Sequence, residues 1–379
     1  MKLKILQENL SKALTVVSRS VASKSSIPIL TNFLITAKKS VLEIYGTDFD
    51  IASRIYVGAD VEEEGRFCVS AKNLTDLISL LPSGTIEIYT EKENLIVVSP
   101  KGRTVFPTSI ADDYPETFVL KKEDTPIMSF PVSSFYQIVD KTSFSTDKQK
   151  LRPIFTGVYF DFMANGLNTV ATDGMRLSRY FIEGEQPKND NMSIPSDALD
   201  ELVKTIHDLG EVPEDKIDIY MSNNQAIFKY KNAELAARLI EGIFPDYKAV
   251  IPSEFKFVVK VMKAEILQAL RITGVFTRNL SVPKVGLNFD FTTSKIHFIA
   301  EASEIGQNNT EIEMDIEQST DEIKTMFNAK NIQDALAHIG TETIIIRGFE
   351  NKRNPGAIGI VLMEDNNDKF LHMMTPFAV

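Results

Sequence analysis

The hydrophobic positions of this chain follow two rhythms, helical and alternating, and their order recurs three times. LKILQENLSKALTVVS, MSFPVSSFYQIVDKT and FVVKVMKAEILQALRITG each open as a short alternating strand. Each continues with a helix-spaced apolar set: Leu10, Leu14 and Val17; Phe135, Ile138 and Val139; Ile266, Leu270 and Val275. A polar loop follows, then a strand of β-branched and aromatic residues. A second motif comes later in each repeat. FCVSAKNLTDLISLLPSGTIEIY from Phe67, MSIPSDALDELVKTIHDLGEVPEDKIDIY from Met192 and KTMFNAKNIQDALAHIGTETIIIR from Lys324 all read strand, small-residue turn, amphipathic helix, alternating strand. Their starts are roughly 125 to 130 residues apart, far above the period of a solenoid unit, so a whole domain is repeated.

Between the two helices lie runs such as VLEIYGTDFDIASRIYVGAD, with period-two alternation and Gly or Asp turns. Strands outnumber helices. The expected fold is α+β: three tandem domains, each with two helices on one side of antiparallel sheets. Short charged, Pro-bearing stretches at Lys121 to Pro126 and Ile251 to Lys256 suggest domains at 1–124, 127–252 and 254–379.

The 379 residues suit two to three domains. A formal charge of −11 argues against a simple basic nucleic-acid binder. The single cysteine, Cys68, sits in an apolar strand, excludes an internal disulfide and suits a reducing cytoplasm. No run approaches twenty apolar residues, and the start MKLKILQENL is unlike a signal peptide, so no membrane association is expected.

Catalytic constellations are missing from the pattern. His207, His297, His338 and His372 have no partners at metal spacing, so neither metal nor cofactor is expected. No Gly-rich phosphate loop or nucleophile elbow occurs. Asp112 and Asp113 fit a solvated turn. An enzyme on the repeated scaffold, with Asp173 as acid or base, is the alternative to a binding protein. Triplication weighs against it, because catalysis needs one site.

One segment stands out as a surface site. In ATDGMRLSRY, Thr172-Asp173-Gly174 is a turn by its chemistry, Gly174 can take positive φ, and Arg176 and Leu177 begin a strand. LRPIFTG places Arg152 and Phe155 beside a proline, and TDFDIASR at Thr47 to Arg54 parallels the turn in the first repeat.

IPILTNFLI, TDFDIA, LRPIFTGVYF, VATDGMRLSRY, LIEGIFPDYKAVIP and the ending Met374-Thr375-Pro376-Phe377 occur in the order and spacing of the bacterial sliding clamp family, the beta subunit of DNA polymerase III, which the chain resembles end to end. The resemblance implies a non-catalytic processivity factor, a head-to-tail homodimer of six domains, with helices inside and a continuous sheet outside. Twelve helices about 8–10 Å apart give a circumference of about 110 Å and, after subtracting helix bulk, an opening of roughly 25 Å, the width of a hydrated duplex. A closed ring holds double-stranded DNA by topology, so weak sequence-independent phosphate contacts suffice.

Candidates for those contacts are Lys12, Arg19, Lys24 and Lys72 in the first repeat; Lys141, Lys148, Gln149, Lys150 and Lys204 in the second; and Lys263, Arg271, Arg278 and Lys330 in the third. The resemblance also implies a groove for short linear motifs of the replicative polymerase, clamp loader, repair polymerases and mismatch-repair proteins. Its matched positions are Arg152, Phe155, Thr172, Gly174, Met175, Arg176, Leu177, Pro245, Val250, Met373, Met374, Thr375, Pro376 and Phe377. Thr and Arg at its rim are expected to satisfy peptide carbonyls. Phe106, Val275 and Phe276 match dimer contacts. The chain departs from the family at Met175, often histidine there, at Ala249, often basic, and at Ala378, usually arginine. A less basic rim and a more apolar groove are expected.

Overall fold

In the computed structural model, residues 1–121, 123–184, 191–277, 281–302, 306–351 and 355–377 are described. The first repeat runs β1 (Lys2–Leu6), α1 (Gln7–Ser18), β2 (Asn32–Lys38), β3 (Val41–Thr47), β4 (Ile51–Gly58), β5 (Asp60–Glu63), β6 (Gly65–Ser70), α2 (Ala71–Leu80), β7 (Thr85–Glu91), β8 (Asn94–Ser99) and β9 (Gly102–Pro107). The second runs β10 (Met128–Pro131), α3 (Val132–Thr142), β11 (Gly157–Met163), β12 (Gly166–Thr172), β13 (Arg176–Glu183), β14 (Met192–Pro195), α4 (Ser196–Asp208), β15 (Lys216–Ser222), β16 (Gln225–Tyr230) and β17 (Ala233–Arg238). The third runs β18 (Phe257–Met262), α5 (Lys263–Thr277), β19 (Lys284–Asp290), β20 (Lys295–Ala302), β21 (Gly306–Glu313), β22 (Asp315–Gln318), β23 (Ile323–Asn328), α6 (Ala329–Ala337), β24 (Thr343–Glu350), β25 (Ile358–Glu364) and β26 (Asn367–Met374). The strand–helix–strand units expected from the repeated motifs are all present, and every strand pairing is antiparallel.

Each helix forms where the apolar period shifts from two to three and four. Leu10, Leu14 and Val17 of α1 are buried with Leu74 and Ile78 of α2. Each such side chain contributes about 1.5–3 kcal/mol on burial. Ser70 accepts the Asn73 N–H at 3.4 Å and starts α2; Asn328 accepts the Lys330 N–H at 3.0 Å and starts α6. One expected face is corrected in α5. Ile266 and Leu270 are buried, but Val275 is 47% exposed, because Ala269, Thr273 and Thr277 complete the buried stripe.

The chain divides into two compact units, Met1–Tyr136 with Asp197–Leu239 and Gln137–Ser196 with Ile240–Val379. The division cuts the second repeat in α3 and at the start of α4, so the compact units do not coincide with the sequence repeats. The reason lies in the sheets. In the first unit β17 pairs with β4, Ala233 opposite Ile55 through Ala237 opposite Ile51, which fuses strands of two repeats into an eight-stranded sheet. In the second unit β13 pairs with β26 and yields a nine-stranded sheet. Each unit also holds a smaller sheet: five strands between the edges β5 and β9 in the first, four strands between the edges β21 and β23 in the second.

Cys68 is free and buried, and burial pushes its thiol up to about 12, so it behaves as a small hydrophobe. Among the described residues no helix is long and apolar enough to cross a membrane.

Candidate functional site

The turn between β12 and β13 is built from its own side chains. Thr172 donates its hydroxyl to the Arg176 carbonyl at 2.6 Å and accepts the Gly174 N–H at 3.0 Å. Asp173 Oδ1 accepts the N–H groups of Met175 and Arg176 at 2.9 and 3.0 Å. Gly174 takes φ +91°, as the turn demands. The first repeat repeats this wiring: Thr47 donates to the Ile51 carbonyl at 3.0 Å, Asp48 accepts the N–H groups of Asp50 and Ile51, and Phe49 takes φ +80°. The hairpin is therefore common architecture. What distinguishes the second-repeat copy is what packs beside it.

The register β13 against β26 sets Leu177 opposite Met373 and Arg176 opposite Met374. Alternation then separates the expected groove residues onto two faces. Leu177 and Met373 join Phe155 in one apolar cluster, together with Phe244 and Tyr247. Gly174 completes it: a Cβ there would lie 3.5 Å from Arg152 Nη1 and 3.8 Å from the Phe155 ring. Pro245 and Val250 flank Phe244 and Tyr247 and stay exposed. The chain end is pinned here as well, since Thr375 donates both its N–H and its hydroxyl to the Met175 carbonyl at 2.9 Å. Pro376 is buried.

Four expectations for the groove are corrected. Met374 faces the opposite core, with Phe257, Ile266 and Leu270. Phe377 donates its N–H to the Met326 carbonyl at 2.9 Å and lies under Lys284, whose Nζ is 5.1 Å from the ring centre. The Thr172 hydroxyl is occupied inside the turn. Arg176 is buried, with Nε on Asp173 at 3.0 Å, Nη1 on Asp334 at 2.9 Å and Nη2 on the Phe144 carbonyl at 2.8 Å, so it is not a free rim donor. The same contacts consume Asp173, which serves as turn cap and counter-ion and not as an acid or base. Ala249 is exposed and Ala378 lies outside the described residues. Met175 and Ile243 set apolar surface beside the hairpin, 47% and 95% exposed, and Arg152 is exposed next to them.

Sequence reasoning missed Phe244 and Tyr247, the aromatic core of the groove. Phe155 meets Phe244 edge-on at 6.2 Å, and Tyr159 stacks on Phe244 at 4.5 Å. Tyr247 donates to Asp161 Oδ2 at 2.6 Å, while Lys248 Nζ sits 2.8 Å from the same oxygen. Burial, and then the Asp161 carboxylate, push the Tyr247 phenol well up. Aromatics three apart in IFPDY, on either side of Pro245-Asp246, were the available cue. Asp147 was missed too. It is buried and accepts N–H groups of Gln149, Leu151 and Arg152 at 2.9, 3.0 and 3.3 Å. One carboxylate thus shapes the loop that carries Lys148, Gln149, Lys150, Arg152 and Phe155.

On the Arg176 side of the hairpin opens a cleft of about 870 Å³, bordered by Phe144, Lys148, Leu151, Arg152, Met175 and Lys330. Behind it Phe144 stacks between His338 at 4.2 Å and His372 at 5.3 Å. His338 Nδ1 is 2.7 Å from Asp140 Oδ1. His372 is fully buried, with Nδ1 2.8 Å from the Ser178 hydroxyl. Burial, with the charges of Arg176 and His338, pushes its imidazole down to about 3. His207 is exposed, and His297 lies half-buried in β20.

The basic candidates divide by exposure and by pairing. Lys12, Lys24, Lys72, Arg271 and Lys330 are exposed and carry no ion pair among the described residues; Lys148, Gln149 and Lys150 are exposed on the Asp147 loop; Lys204 is exposed and 3.2 Å from Glu201. Lys141 is a correction: buried at the end of α3, its ammonium bonds the Glu364 carboxylate at 2.7 Å and the His338 carbonyl, so it cannot meet a phosphate. Arg19 is held by Glu201 and by Asp208 at 2.6 Å, and Lys263 by the Ile339 carbonyl at 2.7 Å, which takes both out of reach as free contacts. Arg278 lies outside the described residues. Phe106 is half-buried on the open edge strand β9; exposed Val275 and half-buried Phe276 close α5, and Phe276 lies within 4.0 Å of where a Gly306 side chain would begin, at the open edge β21.

Residues 1–118 match the family model described as DNA polymerase III beta subunit, N-terminal domain, and residues 129–246 match the central domain of the same subunit. The chain is similar to the beta sliding clamp of Halalkalibacterium halodurans, 29% identical over 376 residues and 95% of each chain. It is similar to that of Bacillus subtilis, 27% identical over 354 residues, 89% of this chain and 90% of the relative. The crystal structure of the Bacillus subtilis DNA polymerase sliding clamp superposes with TM-score 0.91 at 25% identity, over 100% of this chain and 99% of that one. The Pseudomonas aeruginosa DNA polymerase III subunit beta gives TM-score 0.89 over 100% of both chains at 23% identity, a likeness of fold.

Proposed function

Because the chain belongs to the family of the bacterial DNA polymerase III beta subunit, the sliding clamps, we propose that two copies close head to tail around duplex DNA and tether the polymerase through the groove of Phe155, Leu177 and Met373. The protein is a non-catalytic processivity factor of DNA replication. Two of the sheet edges among the described residues carry the assembly, β9 in one compact unit and β21 in the other. Unpaired N–H and C=O rows seek a partner strand, and the residues matched to dimer contacts sit at those edges: Phe106 on β9, and Val275 and Phe276 beside β21.

In this reading the three domains span 1–124, 127–252 and 254–379, and their helices line the hole. Lys12, Lys24, Lys72, Lys148, Gln149, Lys150, Lys204, Arg271 and Lys330 meet phosphates weakly and without base readout. The groove also serves clamp loader, repair polymerases and mismatch-repair proteins in the cytoplasm, in turn, through short motifs with an apolar pair. Burying two such side chains yields a few kcal/mol, and ordering a flexible tail offsets much of it, so affinities are micromolar and partners exchange. Retention on nicked circular DNA tests the reading. The protein, once loaded, should stay on the circle through gel filtration and leave when the circle is linearised. Equal loss from both forms would remove the ring.

A further inference from the structure

We propose that the first unit carries a second docking surface, at the tip of the β3–β4 hairpin, for a partner segment that bears lysine or arginine around a single apolar anchor. Its frame repeats that of the groove in the other unit. The short helix Pro28–Thr31 answers Pro153–Phe155, and the Thr47–Ile51 turn is wired like Thr172–Arg176. β17 pairs with β4 as β26 pairs with β13, and Tyr114-Pro115 answers Phe244-Pro245. The filling differs. Ala52 opposite Ala236 replaces Leu177 opposite Met373. The chain's own rings pack against these alanines: Tyr45 and Phe118 are 5.8 Å apart, and the Arg54 guanidinium lies 5.0 Å from each. What this seam offers a partner is therefore its outer surface.

Three segments meet there at Tyr114. Its hydroxyl donates to the Asn32 carbonyl at 3.0 Å, just after the short helix, and accepts the Thr47 N–H at 3.3 Å, in the hairpin turn. Each segment leaves one large apolar side chain in water beside the junction: Ile27 45%, Phe49 42% and Ile110 69% exposed. Phe49 also sits at φ +80°, where bulky residues are outliers; its counterpart in the other hairpin is Gly174 at φ +91°. A ring that is strained and wet at once does little for the fold, and both features mark surfaces that a partner uses. Charge decides which partner. Asp48, Asp50, Asp112 and Asp113 are all exposed on the same three segments' turns and linker, and Arg66 is shared between Asp112 and Glu116. Apolar side chains among carboxylates suit a cationic segment and repel a polyanionic duplex.

The test uses the full-length protein and two synthetic peptides, one with a tryptophan between lysines, its twin with the tryptophan between glutamates. The chain has no tryptophan, so peptide fluorescence reads binding alone. At low salt the lysine peptide should bind about tenfold tighter than its twin, and an excess of polymerase-type Leu-Phe peptide should not displace it. Phe49→Gly and Ile110→Ser should each weaken it about three- to tenfold. Phe49→Gly should also melt at or above the temperature of the unmodified protein, since glycine takes this φ without strain. Unchanged affinity in both variants would assign the binding to overall acidity and overturn the surface. Displacement by the Leu-Phe peptide would assign it to the groove and overturn it as well. A lower melting temperature of Phe49→Gly with binding intact would show that the ring serves the fold alone. If the lysine peptide fails to bind while the Leu-Phe peptide binds, this surface falls and the groove stands.

Discussion

His372 shows how one buried side chain shapes the pH response. Its folded imidazole stays neutral down to about 3, against an ordinary value of 6.5. Between those values the unfolded chain binds a proton that the folded chain refuses, so stability falls as pH falls through that window. His372→Gln should shrink the loss of unfolding free energy between pH 7 and pH 5 by about 2 kcal/mol, read from urea melts; an unchanged loss would mean that His372 is protonated in the fold. Lys141 is the opposite case, a charge buried with its partner. Burial opposes ionisation of Glu364, but the Lys141 ammonium and the Gly340 N–H outweigh it and hold the carboxyl below its usual range. That contribution is present above the ordinary carboxyl value and is lost on acidification below it. Lys141→Ala strands the carboxylate and should cost about 3–5 kcal/mol at pH 7. Adding Glu364→Gln should recover part of it in the same melts, and a loss under about 1 kcal/mol for Lys141→Ala would show the pair to be solvated.

At the scale of elements, the groove is a product of register. Leu177 opposite Met373 points one way, Arg176 opposite Met374 the other, and a slip of one residue would exchange them. The tail that follows β26 is fastened to the hairpin by Thr375 and to β23 through Phe377. Deleting Thr375 to Val379 frees the Met175 carbonyl at the hairpin tip beside Phe155 and releases the end of β26, which carries Met373. Binding of a polymerase-derived peptide should then disappear in calorimetry while the dimer persists. Full affinity in the truncated protein would place the peptide elsewhere. The intact protein should show a negative heat-capacity change and weak salt dependence with a neutral motif, because the surface buried is apolar.

For the whole molecule, the proposed assembly rests on the sheet edges β9 and β21. Phe276 stands beside β21, half-buried in its own chain. Burying it against a second copy contributes about 1.5–3 kcal/mol, and a carboxylate there reverses the sign. Phe276→Asp should give folded monomers of 42.5 kDa by light scattering at micromolar concentration, with an unchanged circular dichroism spectrum. A particle of twice that mass would remove Phe276 from the contact. The same variant should lose retention on circular DNA, since topology and not charge holds a protein of −11 on a polyanion.

Local order was legible in the chain itself. The repeated switch from alternating to helical period marks α1 to α6 and their flanking strands, because those periods are fixed by backbone geometry. The Thr172–Asp173–Gly174 turn was legible for the same reason, its hydrogen bonds being made within five residues. Long-range pairing was not. That β17 joins β4 and β13 joins β26, and so that the compact units cut the second repeat, depends on edges meeting across about half of the chain. Only those pairings decided that Leu177, Met373, Phe155, Phe244 and Tyr247 share a face while Met374 and Arg176 do not. The basic residues divided likewise. Composition treats Lys141 and Lys148 alike, and only the tertiary fold buries one against Glu364 and leaves the other in water, because a charge can leave solvent only where the fold supplies its counter-charge.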